Sequence, residues 1–325
     1  MTDNLTVSKI VLSSGITSRY FLNQHVPVLA QEVIDSFSGL KNRQDLTYFD
    51  GTFGRGGHYQ LIKNNYNLKQ AIATDQDLAA IQHCQKCYPE VQIHHCSFLE
   101  FAEKNTEQLD IILCDLGVSS PQLDQPERGF SFNKDGPLDM RMNQTHTMTA
   151  ARIVNEFTED DLFKVFREYG EILNPARVIR AIVEDRKTKP FETTLQLSGL
   201  IERVDGWRKK GFHPATQYFM GLRLVVNQEL KVVEDAIPKL IQQMSPGGIM
   251  SIITFHSLED RIVKNLFKDS DLGFAVHKKV IVPSEEECKL NPRARSAKLR
   301  VFQKGPRPEK PDKFALRRMQ KSIPS

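Results

Sequence analysis

The stretch Tyr48-Phe49-Asp50-Gly51-Thr52-Phe53-Gly54-Arg55-Gly56-Gly57-His58 reads as the end of a buried strand, a glycine turn and the start of a helix. Glycines at 54, 56 and 57 allow positive φ and a close approach of backbone to ligand. The helix that follows aims its free N–H groups at the same place. Working outward, Ala71-Ile72-Ala73-Thr74-Asp75 reads as the next strand and ends in an acid 21 residues after Gly54. A carboxylate at that position accepts hydrogen bonds from ribose hydroxyls. Either signal alone is weak, because glycine turns occur in many loops. In strand–turn–helix–strand order, the two together favour a nucleoside-containing cofactor over a purely structural turn.

Further strand ends repeat the pattern. Leu109-Asp110-Ile111-Ile112-Leu113-Cys114-Asp115 is almost wholly apolar, as a central parallel strand should be. It runs into Asp115-Leu116-Gly117-Val118-Ser119-Ser120-Pro121-Gln122. Asp50, Asp75 and Asp115 thus stand at three strand ends, the edge where open α/β sheets hold ligands. One such acid is commonly a helix cap; a series of them points to a site. Val91 to His94 reads as a further strand, with Phe98 just beyond it as either an aromatic edge for adenine or plain core. Cys84, Cys87, His94, His95 and Cys96 are zinc-type ligands, but the spacing puts them on a core helix and an alternating strand, so no metal is expected.

After Asp115 the strand–helix rhythm stops and returns only at Pro214. Residues 123–214 read as an inserted helical domain, with helices over 150–156, 160–169, 174–186 and 194–204. Its arginines face either phosphate or water. The α/β core is then 25–122 and 215–302, flanked by an N-terminal extension, 1–24, and a basic tail, 303–325. Within the second core segment, 215–243 reads as one helix and Pro246-Gly247-Gly248 as a tight turn. Ile249 to Phe255 reads as a fifth buried strand, and 275–282 and 299–302 as closing strands.

Composition narrows the class. The 325 residues are 40% hydrophobic, enough for a substantial core. No apolar run approaches the roughly 18 residues of a membrane span, and the N-terminus shows no signal-peptide pattern. Five cysteines, an odd number, suit a reducing cytoplasm better than a disulfide framework. The net charge of +4 is uneven: residues 289–325 hold 12 Lys/Arg against Glu309 and Asp312, an excess of +10 that leaves −6 for the rest. A basic tail on an acidic body points to a phosphate-rich partner, or to a solvated terminus.

A glycine turn with a ribose acid and a third acid after strand four is compatible with S-adenosyl-L-methionine, whose methionine ammonium Asp50 and Asp115 are placed to meet. A dinucleotide competes, but G-x-G-x-x-G does not match Gly54-Arg55-Gly56-Gly57-His58-Tyr59 cleanly. The longer motifs decide between them. Residues 50–58, 115–124, Gly136-Pro137-Leu138-Asp139-Met140-Arg141-Met142, Phe255-His256-Ser257-Leu258-Glu259-Asp260-Arg261 and 291–300, with His25-x-Pro27-Val28-Leu29, resemble the ribosomal RNA small subunit methyltransferase H family, also called MraW. The resemblance covers about 25–302. It departs at Tyr59, Gln76, Ile172 and Pro175.

That resemblance implies a Rossmann-like α/β sheet with an inserted helical domain, and methyl transfer from S-adenosyl-L-methionine to the N4 amine of a cytidine in 16S rRNA at the decoding centre. Carried over by motif, Gly56, Gly57 and His58 line the cofactor's amino-acid end, Asp75 binds ribose, Phe98 packs near adenine, and Asp115 and Gln122 complete the pocket. The catalytic group is not identified. Asp115 or a nearby carbonyl is expected to accept from the target amine; Phe130 and Phe132 are candidates to stack on the displaced base, with packing of the loop the favoured role for at least one of them. The rival readings are a non-catalytic RNA-binding assembly factor, or a methyltransferase of another nucleic acid or a small molecule. The expected partner is 16S rRNA within the small subunit, with no membrane; a homodimer is left open.

Overall fold

The computed structural model of the chain describes residues 27–206 and 213–308. The expected extension 1–24, His25 and the tail beyond 308 lie outside the described residues. The strands are β1 Leu46–Asp50, β2 Leu68–Asp75, β3 Gln92–His95, β4 Leu109–Asp115, β5 Met244–Thr254, β6 Gly273–Ala275 and β7 Lys298–Lys304. They form one sheet in the order β3-β2-β1-β4-β5-β7-β6. Strands β1 to β5 pair in parallel, and β7 runs antiparallel to β5 and β6. The order reverses direction between β1 and β4. Crossovers leave that point on opposite faces and open a crevice at its carboxyl end.

Side chains alternate along the central strands and are buried on both faces. Tyr48, Ile111 and Leu113 join one core under α1 (Ala30–Ser36), α2 (Gly57–Asn65) and α3 (Leu78–Cys87), with Val33, Ile34, Ile62 and Cys84. Phe49, Ile112 and Cys114 join the other, under α4 (Phe98–Lys104), α11 (Glu229–Gln243) and α12 (Ser257–Asp269), with Phe101, Leu240 and Phe267. Phe49 stacks on Phe101 at a ring separation of 4.3 Å. Removing a side chain such as Ile112, which is fully buried, should cost about 2–5 kcal/mol.

The helical unit interrupts the β4–β5 crossover. It follows α5 (Ser120–Asp124) and comprises α6 (Ala150–Glu156), α7 (Glu159–Lys164), α8 (Ala176–Thr188), α9 (Thr194–Asp205) and α10 (Ala215–Val226). It has its own buried cluster, including Phe166, Ile182, Leu197 and Leu222. Because the excursion starts at the carboxyl end of β4, it leaves the sheet on the ligand-facing edge. The expected helix over 160–169 is α7 followed by a π turn, Val165–Tyr169.

Four expectations are corrected. The single helix over 215–243 is two, α10 and α11, because the chain turns at Asn227-Gln228, where Gln228 takes φ 50°. The helical unit does not end at 214: Ala215, Tyr218, Phe219 and Leu222 are buried in its cluster, so α10 packs there rather than on the sheet. Pro246-Gly247-Gly248 does not precede β5 but bulges within it; Leu109 pairs with Met244, and the next pair is Ile111 with Ile249. The expected strand over 275–282 is shorter as well. Only Gly273–Ala275 forms β6, followed by a single bridge from Ile281 to Leu299.

Candidate active site

The glycine turn lies across the ends of three strands. Gly51 N–H donates to Leu113 O at 2.9 Å and Phe53 N–H to Thr74 O at 3.1 Å. Gly54 N–H donates to Asp75 Oδ2 at 2.8 Å, and Asp115 N–H to Thr52 Oγ1 at 2.6 Å. The glycines are required by space and by backbone. A β-carbon on Gly51 would stand 2.6 Å from Cys114 Sγ, and one on Gly57 2.7 Å from Pro27 Cγ. Gly54 and Gly56 hold left-handed φ values of 55° and 75°.

Asp50 supports the turn from beneath. Its Oδ2 accepts from the Tyr48 hydroxyl at 2.7 Å and its Oδ1 from Thr52 N–H at 3.1 Å. Burial pushes the carboxyl up to about 6, against the pull of both hydrogen bonds. It does not line the cavity above, so the expectation that it meets a cationic ligand group is corrected. Bonds to its own strand and turn direct both oxygens into the fold.

That cavity encloses about 920 Å³, near the upper end of the ~300–1,000 Å³ usual for ligand pockets. Gly57, His58, Asp75, Phe98, Asp115 and Gln122 all line it. Gly56 does not. A β-carbon there would meet the Tyr88 ring at 2.6 Å and the Phe53 ring at 2.9 Å, so this glycine serves the close packing of the turn on those rings. Gln122 lines the wall, yet both ends of its amide are bound to the scaffold. Its Oε1 accepts from Ser119 N–H and its Nε2 donates to Asp77 Oδ2, each at 2.9 Å. Phe130 and Phe132 are not in the cavity. Phe130 is buried in the helical cluster, and Phe132 packs on Phe219 and His213, so the candidate base-stacking role is corrected: the helical core draws both rings inward.

The polar floor is His58 and Asp115. His58 Nε2 lies 2.9 Å from the Val28 carbonyl and must donate to it, which leaves Nδ1 as a lone pair. Burial lowers the His58 pKa and favours this neutral form. Nδ1 faces Asp115 Oδ2 at 3.7 Å, beyond hydrogen-bond range. Asp115 Oδ1 is buried and has no hydrogen-bond partner among the described residues. Burial, then the charge of Glu259, pushes the Asp115 carboxyl up to about 7. The side chain keeps 28% of its surface open to the cavity, so water there tempers the effect. The floor therefore presents acceptors in need of an N–H or ammonium donor. Asp75 sits at the far side, its carboxyl raised to about 6 by burial and held by the N–H groups of Gly54 and Asp77. These groups fit a nucleoside cofactor that carries an amino acid: acceptors for ribose, acceptors for an ammonium, and the Phe98 ring for an adenine.

Sequence reading missed several residues around the cavity. Asp77 and Arg128 form a buried ion pair at 2.5 Å across 51 positions. Asn227, at the break between α10 and α11, grips residues 140 and 142 from 85 and more positions away. Arg223 lines the cavity beside Gly117, its fork closed on Glu229 at 2.8 and 3.0 Å. Glu259 lies alongside, 2.9 Å from His256 Nε2 and accepting from Phe255 N–H. Burial opposes its charge, but His256 and Arg223 outweigh that and leave its pKa below the usual value. No local spacing links Asp77 to Arg128 or Asn227 to residues 140 and 142.

A family profile described as the MraW methylase family matches residues 22–305. The protein named ribosomal RNA small subunit methyltransferase H from Bdellovibrio bacteriovorus is 56% identical over 296 residues, covering 89% of this chain and 90% of that one. Proteins of the same name from Cyanothece and Legionella pneumophila are 44% and 41% identical, each covering 86% of this chain and 94% and 99% of their own. The glycine turn, the acids at the strand ends and the helical excursion from β4 all lie inside the matched span, and the chain belongs to the MraW methylase family, whose methyl donor is S-adenosyl-L-methionine.

Proposed function

We propose that this protein transfers the methyl group of S-adenosyl-L-methionine to the N4 amine of a cytidine in 16S rRNA near the decoding centre, with the small ribosomal subunit as partner. The names of its relatives support small-subunit rRNA as the substrate. The observation that carries the amine assignment is the Asp115 carboxylate in the cavity floor, part open to the cavity and without a hydrogen-bond donor on Oδ1 among the described residues.

The N4 lone pair is delocalised into the cytosine ring, so the amine is a poor nucleophile. Asp115, through its open Oδ2, accepts one N4–H and turns the lone pair toward the sulfonium methyl; His58 Nδ1, beside it, faces the cofactor's ammonium. Bound there, S-adenosyl-L-methionine would supply an electrophilic methyl with a neutral thioether as its leaving group, and Asp115 would take the N4 proton as the amine is methylated. A carboxyl near 7 suits that transfer. Alignment in the cavity supplies much of the remaining barrier reduction. Gly57 and His58 hold the amino-acid end, Asp75 the ribose and Phe98 the adenine. The helical unit, rooted at the carboxyl end of β4, supplies the RNA-facing side.

The test offers methyl-labelled cofactor and unmethylated small subunits. Wild type should label one cytidine at N4. Asp115→Asn should bind cofactor within a few-fold and lose about 100-fold or more in kcat. Full-rate methylation by that variant would remove Asp115 from the mechanism. No labelling by wild type would favour the non-catalytic assembly factor.

A further inference from the structure

We infer that Arg128 is a positioning residue that joins the cofactor end of the cavity to its 139–142 loop, so that filling one end tightens binding at the other. The inference rests on the reading above, in which the cavity takes both a cofactor and an RNA base.

The path is continuous. Asp75 Oδ1 accepts from Asp77 N–H at 2.8 Å. The Asp77 carboxylate caps α3 through Ala79 N–H at 3.0 Å, and its other oxygen takes Gln122 Nε2 at 2.9 Å and Arg128 Nη1 at 2.5 Å. Arg128 Nη2 then donates to the carbonyls of Arg141 and Met142 at 3.0 and 3.2 Å, and its own carbonyl accepts from Met140 N–H at 3.1 Å. Met142 lines the cavity. From the other side, Asn227 accepts from Met142 N–H at 2.7 Å and donates to Met140 O at 2.8 Å. Between them Met140 is held at φ 63°, a conformation an L side chain keeps only when its surroundings impose it.

Stability alone does not account for this arrangement. Arg128 is only 6% exposed, and its Nε is buried without a partner. Buried ion pairs are commonly no more stable than an apolar replacement. Here the guanidinium is spent on three particular acceptors: one carboxylate on the cofactor side and two carbonyls on the loop side. A lysine can keep the charge opposite Asp77 but cannot span to both carbonyls. Ligand contacts that fix Asp75 therefore fix Asp77, Arg128 and the Met142 wall in turn.

The experiment uses the full chain and unmethylated small subunits. Subunit affinity is measured with and without saturating S-adenosylhomocysteine, the demethylated cofactor. In wild type the nucleoside should tighten subunit binding about fivefold or more, and Arg128→Lys should bring that ratio below about twofold. Asp77→Asn, which breaks the same path one step earlier, should give the same collapse and decides the matter if the lysine variant is insoluble. Using a ratio cancels losses of folded fraction or of lone affinity. At saturating cofactor the KM for subunits should rise more than kcat falls. A wild-type ratio retained in both variants overturns the inference, as does a wild type that methylates without any such linkage. A wild type that binds no cofactor and labels no subunit overturns the proposed function as well.

Discussion

In the proposed reaction the chemistry turns on Asp115, and its titration makes two predictions. As an acceptor it must be ionised, so kcat/KM should rise with pH through a midpoint near 7, and Asp115→Asn should abolish that limb. Stability should move the opposite way. A carboxyl whose pKa is raised by folding favours the folded state below its unfolded pKa of about 4, and that contribution is lost as pH rises through the folded value. For Asp50 and Asp75 the loss runs to about 6 and for Asp115 to about 7, so the cofactor-free protein should lose stability between pH 4 and 7. Asp115→Asn should recover about 1–2 kcal/mol at pH 8, seen as a Tm higher by a few degrees, while destroying activity. A lower Tm at pH 8 would show that the carboxylate is not under strain. These acids were legible in the sequence because each ends a strand and the strand pattern is local. The roles of Gly56 and Asp50 were not. Which side of a turn faces a cavity depends on the rings of Tyr88 and Phe53 and the hydroxyl of Tyr48.

At the scale of elements, the break between α10 and α11 matters most. Continuous apolar spacing from 215 to 243 suggests one helix, yet the chain turns at Asn227 and uses that side chain as a clamp. Its amide bonds Met140 O, Met142 N–H and Arg223 O. Asn227→Ala would leave Met140 O and Met142 N–H buried without those partners, a cost of about 2–4 kcal/mol that urea denaturation should register. It should also lower methylation beyond any loss of folded protein, because the Met142 wall loses its support. A cost below about 0.5 kcal/mol would mean that water replaces the amide. Packing, the role the sequence reading favoured for at least one of Phe130 and Phe132, holds for both. Aromatic residues in an irregular segment look available for stacking, but the neighbouring helices offered them a core.

At the scale of the whole molecule, placing the helical unit in the β4–β5 crossover sets it on the edge where the cavity opens. On the proposed function, that placement would set a bound RNA beside the nucleoside. The proposed role of the basic tail is to add charge toward phosphate; residues 309–325 carry Lys310, Lys313, Arg317, Arg318 and Lys321 against Glu309 and Asp312. Truncation after 308 should flatten the slope of log K against log salt for subunit binding by as much as about 3, with cofactor affinity unchanged. An unaltered slope would mean that the tail does not touch phosphate. No helix among the described residues is long and apolar enough to cross a membrane. The sequence by itself determined the sheet, the turn and the acids at its edge, because alternation, glycine placement and strand-end chemistry act between near neighbours. Only the tertiary structure decided that Asp77 meets Arg128, that Asn227 holds the 139–142 loop, and that Asp115 keeps one oxygen unpaired. Those contacts join residues far apart in the chain, and burial and hydrogen-bond satisfaction emerge only when the separate elements are packed together.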